Sequence, residues 1–298
     1  MKSNLNNIRT MSFGLAAVLA AAAVSTAQAQ YTAVFYDGYD TTGNSQDVNF
    51  QYNSGTRQGG VLSPINYAQN PAGADYHHQV TGTTLQLAGD PGFQYPMASP
   101  NKNFKGPIFG SQVVGTKISF SLDLNTPLSA QYTAAGISLG ASSQLVNLEG
   151  DANTHFAVKF VEDGAFGGGN FIQFYDGINL VNNVLPFTAG GAGAFGVDLL
   201  INDLADGNPF DGIGSTTIDL YVNSVFIAGY TKGGGGYSDN YLTLVGERGF
   251  SFGPGLTIVT HQFDNLLVYA SPVPEPGTAT LALLGLGVFR FYRKNRNA

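Results

Sequence analysis

The chain has no cysteine and no tryptophan. Only 11% of its 298 residues are charged, against about 25% in an ordinary globular protein. The lack of cysteine excludes disulfides, thiolate metal centres and cysteine nucleophiles. Basic residues are scarce: between residues 30 and 270 seven of them face 19 acidic ones, a net charge of −12. A nucleic-acid surface needs clustered lysine and arginine, so no nucleic-acid partner is expected. The 40 glycines follow no three-residue period, which excludes a collagen-like chain. With 43% hydrophobic residues the composition is that of a chain able to bury a core. Glycine, phenylalanine (21) and tyrosine (15) are what the chain has in quantity.

Both ends read as processing segments. Lys2 and Arg9 precede an apolar run from Met11 to Val24, and Ala27-Gln28-Ala29 then supplies a small-x-small cleavage pattern. The run is shorter than the ~20 residues of a spanning helix. Residues 1–29 are therefore expected to be a signal peptide, cut after Ala29 to leave Gln30. At the other end, two prolines in Pro274-Glu275-Pro276 deny helix to the junction. The apolar run 278–289 follows, then Arg290, Arg293, Lys294 and Arg296. Twelve helical residues cover about 18 Å, short of the ~30 Å hydrocarbon core. The basic end favours the cytoplasmic face. Physics predicts a short hydrophobic helix acting as a weak, transient membrane stop.

This three-part end resembles the PEP-CTERM sorting segment of Gram-negative bacteria. The resemblance implies an exosortase-type membrane peptidase as partner, beside the export machinery. It also implies delivery to the cell surface or extracellular matrix, after an inner-membrane intermediate.

Between the ends, residues 30–270 show no sustained helical period and no second domain boundary. Lys117–Leu124 alternates, with Ile118, Phe120, Leu122 and Leu124 on one face and Ser119, Ser121 and Asp123 on the other, the pattern of a half-buried strand. Further strands are expected at Tyr31–Tyr36, Val48–Tyr52, Thr83–Ala88, Tyr132–Leu139, His155–Val161, Asn170–Tyr175, Asn179–Val181, Phe195–Ile201, Thr216–Val222, Val225–Tyr230, Tyr241–Val245, Leu256–Thr260 and Gln262–Tyr269. Asp176-Gly177 and Asn223-Ser224 read as hairpin turns. Asp37–Thr56 reads as a long polar loop. Residues 57–111, interrupted by six prolines, read as an insertion or extended loops. About a dozen strands at these spacings predict an all-β fold: one antiparallel β-sandwich of jelly-roll type. The strand–turn–strand from Thr216 to Tyr230 and the closing run Phe263-Asp264-Asn265-Leu266-Leu267-Val268-Tyr269 resemble the last third of concanavalin-like lectin, glucanase and laminin-G-type sandwiches.

Five kinds of chemistry have candidate residues. Asp203, Asp206, Asn208 and Asp211 place four oxygen-bearing side chains around Gly207, as a calcium loop does, but without EF-hand spacing. Asp37, Asp40, Asn44 and Asp47 form a weaker set. Glycoside hydrolysis needs two carboxylates about 5–9 Å apart. Glu149, Glu162 and Glu247 are the only glutamates of the body, and the alternating three-carboxylate run of the glucanases is absent from the sequence. Gly136-Ile137-Ser138-Leu139-Gly140 matches G-x-S-x-G literally, yet reads as a plain strand where a hydrolase needs a strand–turn–helix elbow. His77-His78 beside Asp75 reads as a polar loop; adjacent strand residues diverge, so a shared zinc would need a turn. Tyr36, Tyr39, Tyr52 and Tyr76 lie in loop-like sequence and carry rings suited to stacking on sugars.

The sequence therefore predicts an exported, non-catalytic surface or matrix protein whose lectin-like sandwich associates with exopolysaccharide, with calcium as a candidate ion. A self-associating structural surface protein and a divergent glycosidase are the alternatives.

Overall fold

In a computed structural model the alternating run at 117–124 is a strand with every second residue buried: Ile118, Phe120, Leu122 and Leu124 face inward. The structure describes residues 32–41, 45–73, 76–108, 111–113, 117–124, 132–140, 144–163, 169–184, 193–203, 209, 213–234, 239–249 and 258–270. Residues Ala33–Ala270 form one compact unit. The expected signal peptide, with Ala27 and Ala29, and the expected C-terminal helix lie outside the described residues.

The strands, in chain order, are β1 (Thr32–Asp37), β2 (Gln46–Asp47), β3 (Gln58–Gly59), β4 (Tyr67–Asn70), β5 (His78–Thr81), β6 (Thr84–Gly89), β7 (Met97–Pro100), β8 (Gly106–Ile108), β9 (Ser111–Val113), β10 (Lys117–Asp123), β11 (Tyr132–Gly140), β12 (Thr154–Asp163), β13 (Phe171–Asp176), β14 (Asn179–Val184), β15 (Phe195–Asp203), β16 (Ser215–Val222), β17 (Val225–Gly233), β18 (Tyr241–Glu247) and β19 (Val259–Ala270). Among the described residues there is no helix. One sheet runs β17-β16-β15-β10-β19-β6-β5-β2, with β1 pairing β19 and β3; a seven-stranded sheet runs β14-β13-β12-β11-β18-β7-β4; β8 and β9 form a separate ribbon. The two sheets share one core. Leu85, Ile118, Phe120, Val197, Leu199, Leu220 and Phe263 come from the first, and Ile137, Phe156, Val158, Phe160, Phe174 and Leu244 from the second. Phe160 and Phe195 meet across the sheets at 5.4 Å. Each side chain so buried contributes roughly 1.5–3 kcal/mol relative to exposure.

The fold is the expected antiparallel sandwich, and both predicted turns form. Gly177 (φ 59°), Asn223 (φ 48°) and Ser224 (φ 65°) supply the left-handed backbone of two-residue hairpins. Three expectations fail. Thr260 and Gln262, expected in separate strands, both lie on β19. Val48–Tyr52 is a turn, not a strand, and Val48 is buried in the core. Residues 57–111 are no insertion. They supply β3, β5 and β6 to the first sheet and β4 and β7 to the second. Their prolines punctuate short strands, where a missing N–H costs little, without preventing pairing.

Two buried histidines give the sandwich a predictable acid response. His155 Nε2 lies 2.9 Å from the Asp239 carbonyl, and His261 Nε2 lies 3.1 Å from that of Glu247. Burial lowers the pKa of each to about 4, against the opposing pull of those carbonyls. The unfolded chain, titrating near 6.5, takes up these protons first. Stability is therefore full above pH ~6.5 and falls as pH drops from there through ~4, by on the order of 3 kcal/mol per histidine. Urea denaturation between pH 7.5 and 4 checks this. The expected midpoint falls steadily with acid and falls less in His155→Gln and His261→Gln; equal midpoints across the range would contradict it.

Candidate functional site

β12 is the strand around which a site is built. Its residues alternate between the sandwich core (Phe156, Val158, Phe160) and the opposite face of the seven-stranded sheet (His155, Ala157, Lys159, Val161), and both sets are buried. The second face is covered because residues 144–148 cross it. Ser138 Oγ donates to the Val146 carbonyl at 2.5 Å, and Thr154 Oγ1 to that of Asn147 at 3.0 Å. A second apolar cluster of Met97, Leu148, Ala157, Tyr175 and Val245 seals the contact, with Tyr95 and Leu145 packed on it.

Where the cover ends, the face becomes polar. The side chain of Lys159 is wholly buried, yet its Nζ lies 2.6 Å from Glu247 and 3.0 Å from Glu149. The Tyr132 ring lies 5.0 Å beneath the ammonium. Tyr175 hydroxyl donates to Glu149 at 2.8 Å and lies 3.0 Å from Gln173 Oε1. Register explains the assembly. Gly136 of β11 pairs with Lys159, and Ala134 of the same strand pairs with Glu247 of β18. Gly136 is required there, since a Cβ would stand 2.0 Å from the Val158 carbonyl. Glu247 is almost fully buried, whereas the Glu149 side chain is 36% exposed and opens the cluster to solvent.

The electrostatics are fixed. Burial works against the Lys159 ammonium, but Glu247, Tyr132 and Glu149 outweigh it and hold its pKa above the ordinary lysine value. Burial pushes Glu247 up, and Lys159 pulls it back only in part. Burial also raises Tyr132 and Tyr175, so both remain protonated hydroxyls. Lys159 is thus a permanent cation, unsuited to abstracting protons at neutral pH. The set offers carboxylate acceptors, phenolic hydroxyls and ring faces.

Two of the three glutamates singled out in the sequence meet here. Both are held on one nitrogen, with Lys159 Nζ between their carboxylate oxygens. Asp151, two residues after Glu149, accepts the Asn153 N–H at 2.8 Å and caps a turn. Glu162 lies elsewhere, and burial together with Asp123 raises it. Lys159, Tyr132 and Tyr175 were not anticipated. The available signal was one lysine inside the otherwise apolar run Phe156–Val161.

The other sequence candidates are dispersed. Tyr39 is wholly buried and cannot meet a glycan. Tyr36 is half-buried with its ring laid over Gly59. Tyr52 is half-buried. Tyr76 is exposed, stacks on His77 at 4.2 Å, and donates to Asp90; that bond and two backbone N–H groups hold the Asp90 carboxyl down at about 2. His77 lies 3.2 Å from Asp90 and His78 2.8 Å from the Asn70 carbonyl, so the pair diverges; Asp75 is outside the described residues. Ser138 sits buried mid-strand, with no elbow around it. The weaker calcium set is also undone. Asp37 is committed to a buried ion pair with Arg57, Asp47 caps Asn49 and accepts from Gln69, and Asn44 is outside the described residues. Of the main calcium set, Asp203 ends β15 and is buried, while Asp206, Asn208 and Asp211 lie outside the described residues. Among the described residues no group of three or more His, Asp or Glu side chains could hold a metal ion.

Comparison with known proteins bears on the tail and the fold. The tail decides first: residues 272–296 match the family model described as the PEP-CTERM protein-sorting motif. The chain carries a PEP-CTERM sorting motif. Pro274, Glu275, Pro276, Arg290, Arg293, Lys294 and Arg296 all fall inside it, outside the described residues. The PEP-CTERM motif marks a protein exported and sorted by an exosortase. No curated protein is significantly similar to the chain. Among solved structures, LamAcat from Zobellia galactanivorans is similar at TM-score 0.50 and 12% identity, over 80% of this chain and 98% of that one. A Bacillus licheniformis beta-glucanase is similar at TM-score 0.45 and 10% identity, over 78% and 100%. A lichenase from a mouse hindgut metagenome is similar at 0.45 and 8%, over 80% and 98%. The body has the sandwich fold of the concanavalin-like glucanases.

Proposed function

We propose that this PEP-CTERM protein is a non-catalytic surface or matrix protein that holds extracellular polysaccharide at the Lys159 cluster. The observation that carries the reading is the Lys159 ammonium wedged between Glu149 and Glu247. In a glycosidase the scissile bond lies between the two carboxyls; here a buried cation fills that space. A purely structural sheet face would be sealed by apolar side chains, as the neighbouring part of this face is. What remains open at the Glu149 edge, with Tyr132, Gln173 and Tyr95 partly exposed, suits a polyol: carboxylate and amide groups for hydroxyls, and rings for the apolar faces of sugars.

The test is titration calorimetry of the full chain with neutral and anionic polysaccharides, paired with an assay for released reducing ends. Saturable binding without release is expected. Glu149→Ala or Tyr132→Ala is expected to weaken it by about tenfold or more, roughly the loss of one charge-assisted hydrogen bond or one ring contact. Concentration-dependent assembly without sugar binding would instead favour a self-associating structural protein. Reducing-end release lost in Glu149→Gln would establish a glycosidase.

A further inference from the structure

The outer face of the other sheet carries a shallow, open cleft. It is lined by Gly196 and Asp198 of β15, Ser119 and Ser121 of β10, Asn223 in the β16–β17 turn and Asn265 of β19; the open volume is about 430 Å³. Two local features make it. First, β19 carries a bulge: Ser119 pairs with Leu267, but Ser121 pairs with Asp264, and Asn265 takes a left-handed φ of 50°. The bulge resets the alternation, so Asn265 projects outward between the half-buried Asp264 and the buried Leu266. Bulges of this kind re-aim a side chain. Second, the two-residue turn folds Asn223 back over β15. Its Oδ1 accepts the Gly196 N–H at 2.9 Å, and its own N–H donates to the Gly196 carbonyl at 2.9 Å. This fixes the amide at the rim with its amino group left for a ligand.

Register then lines up a row across five strands. Leu267, Ser119, Asp198, Tyr221 and Phe226 are successive partners from β19 to β17. At the spacing of paired strands, the row is about 19 Å long. Tyr221 and Phe226 pack edge to face at 5.5 Å, and Phe226 is 55% exposed. Among the described residues that line the cleft, Asp198 carries the one charge, and it is neutralised. Asp198 accepts from Ser119 Oγ at 2.5 Å and pairs with Lys117 at 3.1 Å. An aromatic pair beside a trough of hydroxyls and amides, without net charge, has the chemistry of a surface for a neutral polyol chain.

The geometry points to a second carbohydrate-binding site on this face, for a neutral polysaccharide lying across β19 to β17. It stands apart from the Lys159 cluster, which belongs to the other sheet, on the side turned away from the shared core. Two sites on opposite faces let one domain bridge two polysaccharide chains; that bridging, though not the second site, rests on the function proposed above.

The experiment measures binding of cellohexaose, laminarihexaose and mannohexaose to the full chain, with alginate as the anionic comparison. The blocking variant is Gly196→Leu. Gly196 is exposed with an ordinary φ, and a Cβ there would meet only Asn223 Oδ1, at 3.8 Å, so the fold tolerates the side chain. Gly196→Leu is expected to halve the stoichiometry at unchanged melting temperature. Phe226→Ser is expected to weaken the same site about tenfold, and Glu149→Ala to weaken the other site by about tenfold or more. Gly196→Leu with full stoichiometry and affinity overturns the outer site while leaving the Lys159 cluster standing. Glu149→Ala without effect, where Gly196→Leu abolishes binding, does the reverse. No binding by the parent chain overturns both. A wild-type dimer dissociated by Phe226→Ser in sedimentation, with sugar binding unchanged, assigns the face to a second copy of the chain and overturns the proposal.

Discussion

Arg57→Ala is expected to lower stability by roughly 3–5 kcal/mol, the cost of leaving the other member of a buried ion pair uncompensated. Both Arg57 and Asp37 are wholly buried, and Arg57 Nε and Nη2 each reach Asp37 at 3.1 Å. Asp37 also accepts from the Tyr39 N–H at 2.8 Å, Gln58 Nε2 at 2.9 Å and the Tyr67 hydroxyl at 3.0 Å. The guanidinium lies 5.8 Å from the Tyr39 ring and 5.9 Å from that of Tyr67. Removing the cation strands a carboxylate and loosens the segment between β1 and β3. For a body of this size, each kcal/mol shifts the melting temperature by about 2–4 °C, so a fall of about 10 °C is expected by calorimetry. Arg57→Lys should recover little, because an ammonium cannot reproduce the two-pronged contact. A loss below about 1 kcal/mol would show that the pair is not a buried anchor.

The second large effect is expected at Lys159. Lys159→Ala leaves Glu247 buried and unpaired, at a cost of roughly 3–5 kcal/mol. The double substitution Lys159→Met with Glu247→Leu removes both charges and keeps the volume. It is expected to recover most of that loss, since well-packed apolar pairs match or exceed buried ion pairs in stability. Chemical denaturation of the two variants checks this. The contrast separates stability from function: a recovered fold that no longer binds polysaccharide places binding on the charges. A double variant as unstable as the single one would show that the charges are part of the packing itself.

How far the sequence could be read depended on how local each determinant was. The alternation of Ile118, Phe120, Leu122 and Leu124 needs only a two-residue period, and the turns at Asp176-Gly177 and Asn223-Ser224 need only residues that accept positive φ. All were legible. Asp37–Thr56 was not, because its polar residues find their partners farther along the chain. Asp37 meets Arg57 and Tyr67, and Asn49 Nδ2 donates to the Tyr67 carbonyl at 3.0 Å. A segment satisfied in this way folds inward, and Tyr39, expected in a loop, ends in the core. Within 57–111 the alternation at Thr83–Ala88 was legible and became β6, but β3, β4, β5, β7 and β8 were missed. They are two to four residues long, too short to show a period, and β7 finds its partner far along the chain, on β18.

The sequence by itself determined the address of this protein, because the PEP-CTERM motif of Pro-Glu-Pro, apolar run and basic cluster is contiguous and needs no fold to be read. It also determined the fold class, because hydrophobic alternation and turn chemistry act over a few residues. Tertiary structure alone decided where chemistry gathers. Glu149, Lys159 and Glu247 span almost a hundred positions, and only the register of β12, β11 and β18, with the segment crossing the sheet, brings two carboxylates onto one buried ammonium. The outer cleft likewise depends on a one-residue bulge at Asn265 and a turn that folds Asn223 over Gly196. Such contacts are fixed by which strands become neighbours, and pairing over long chain separations leaves no local pattern to read.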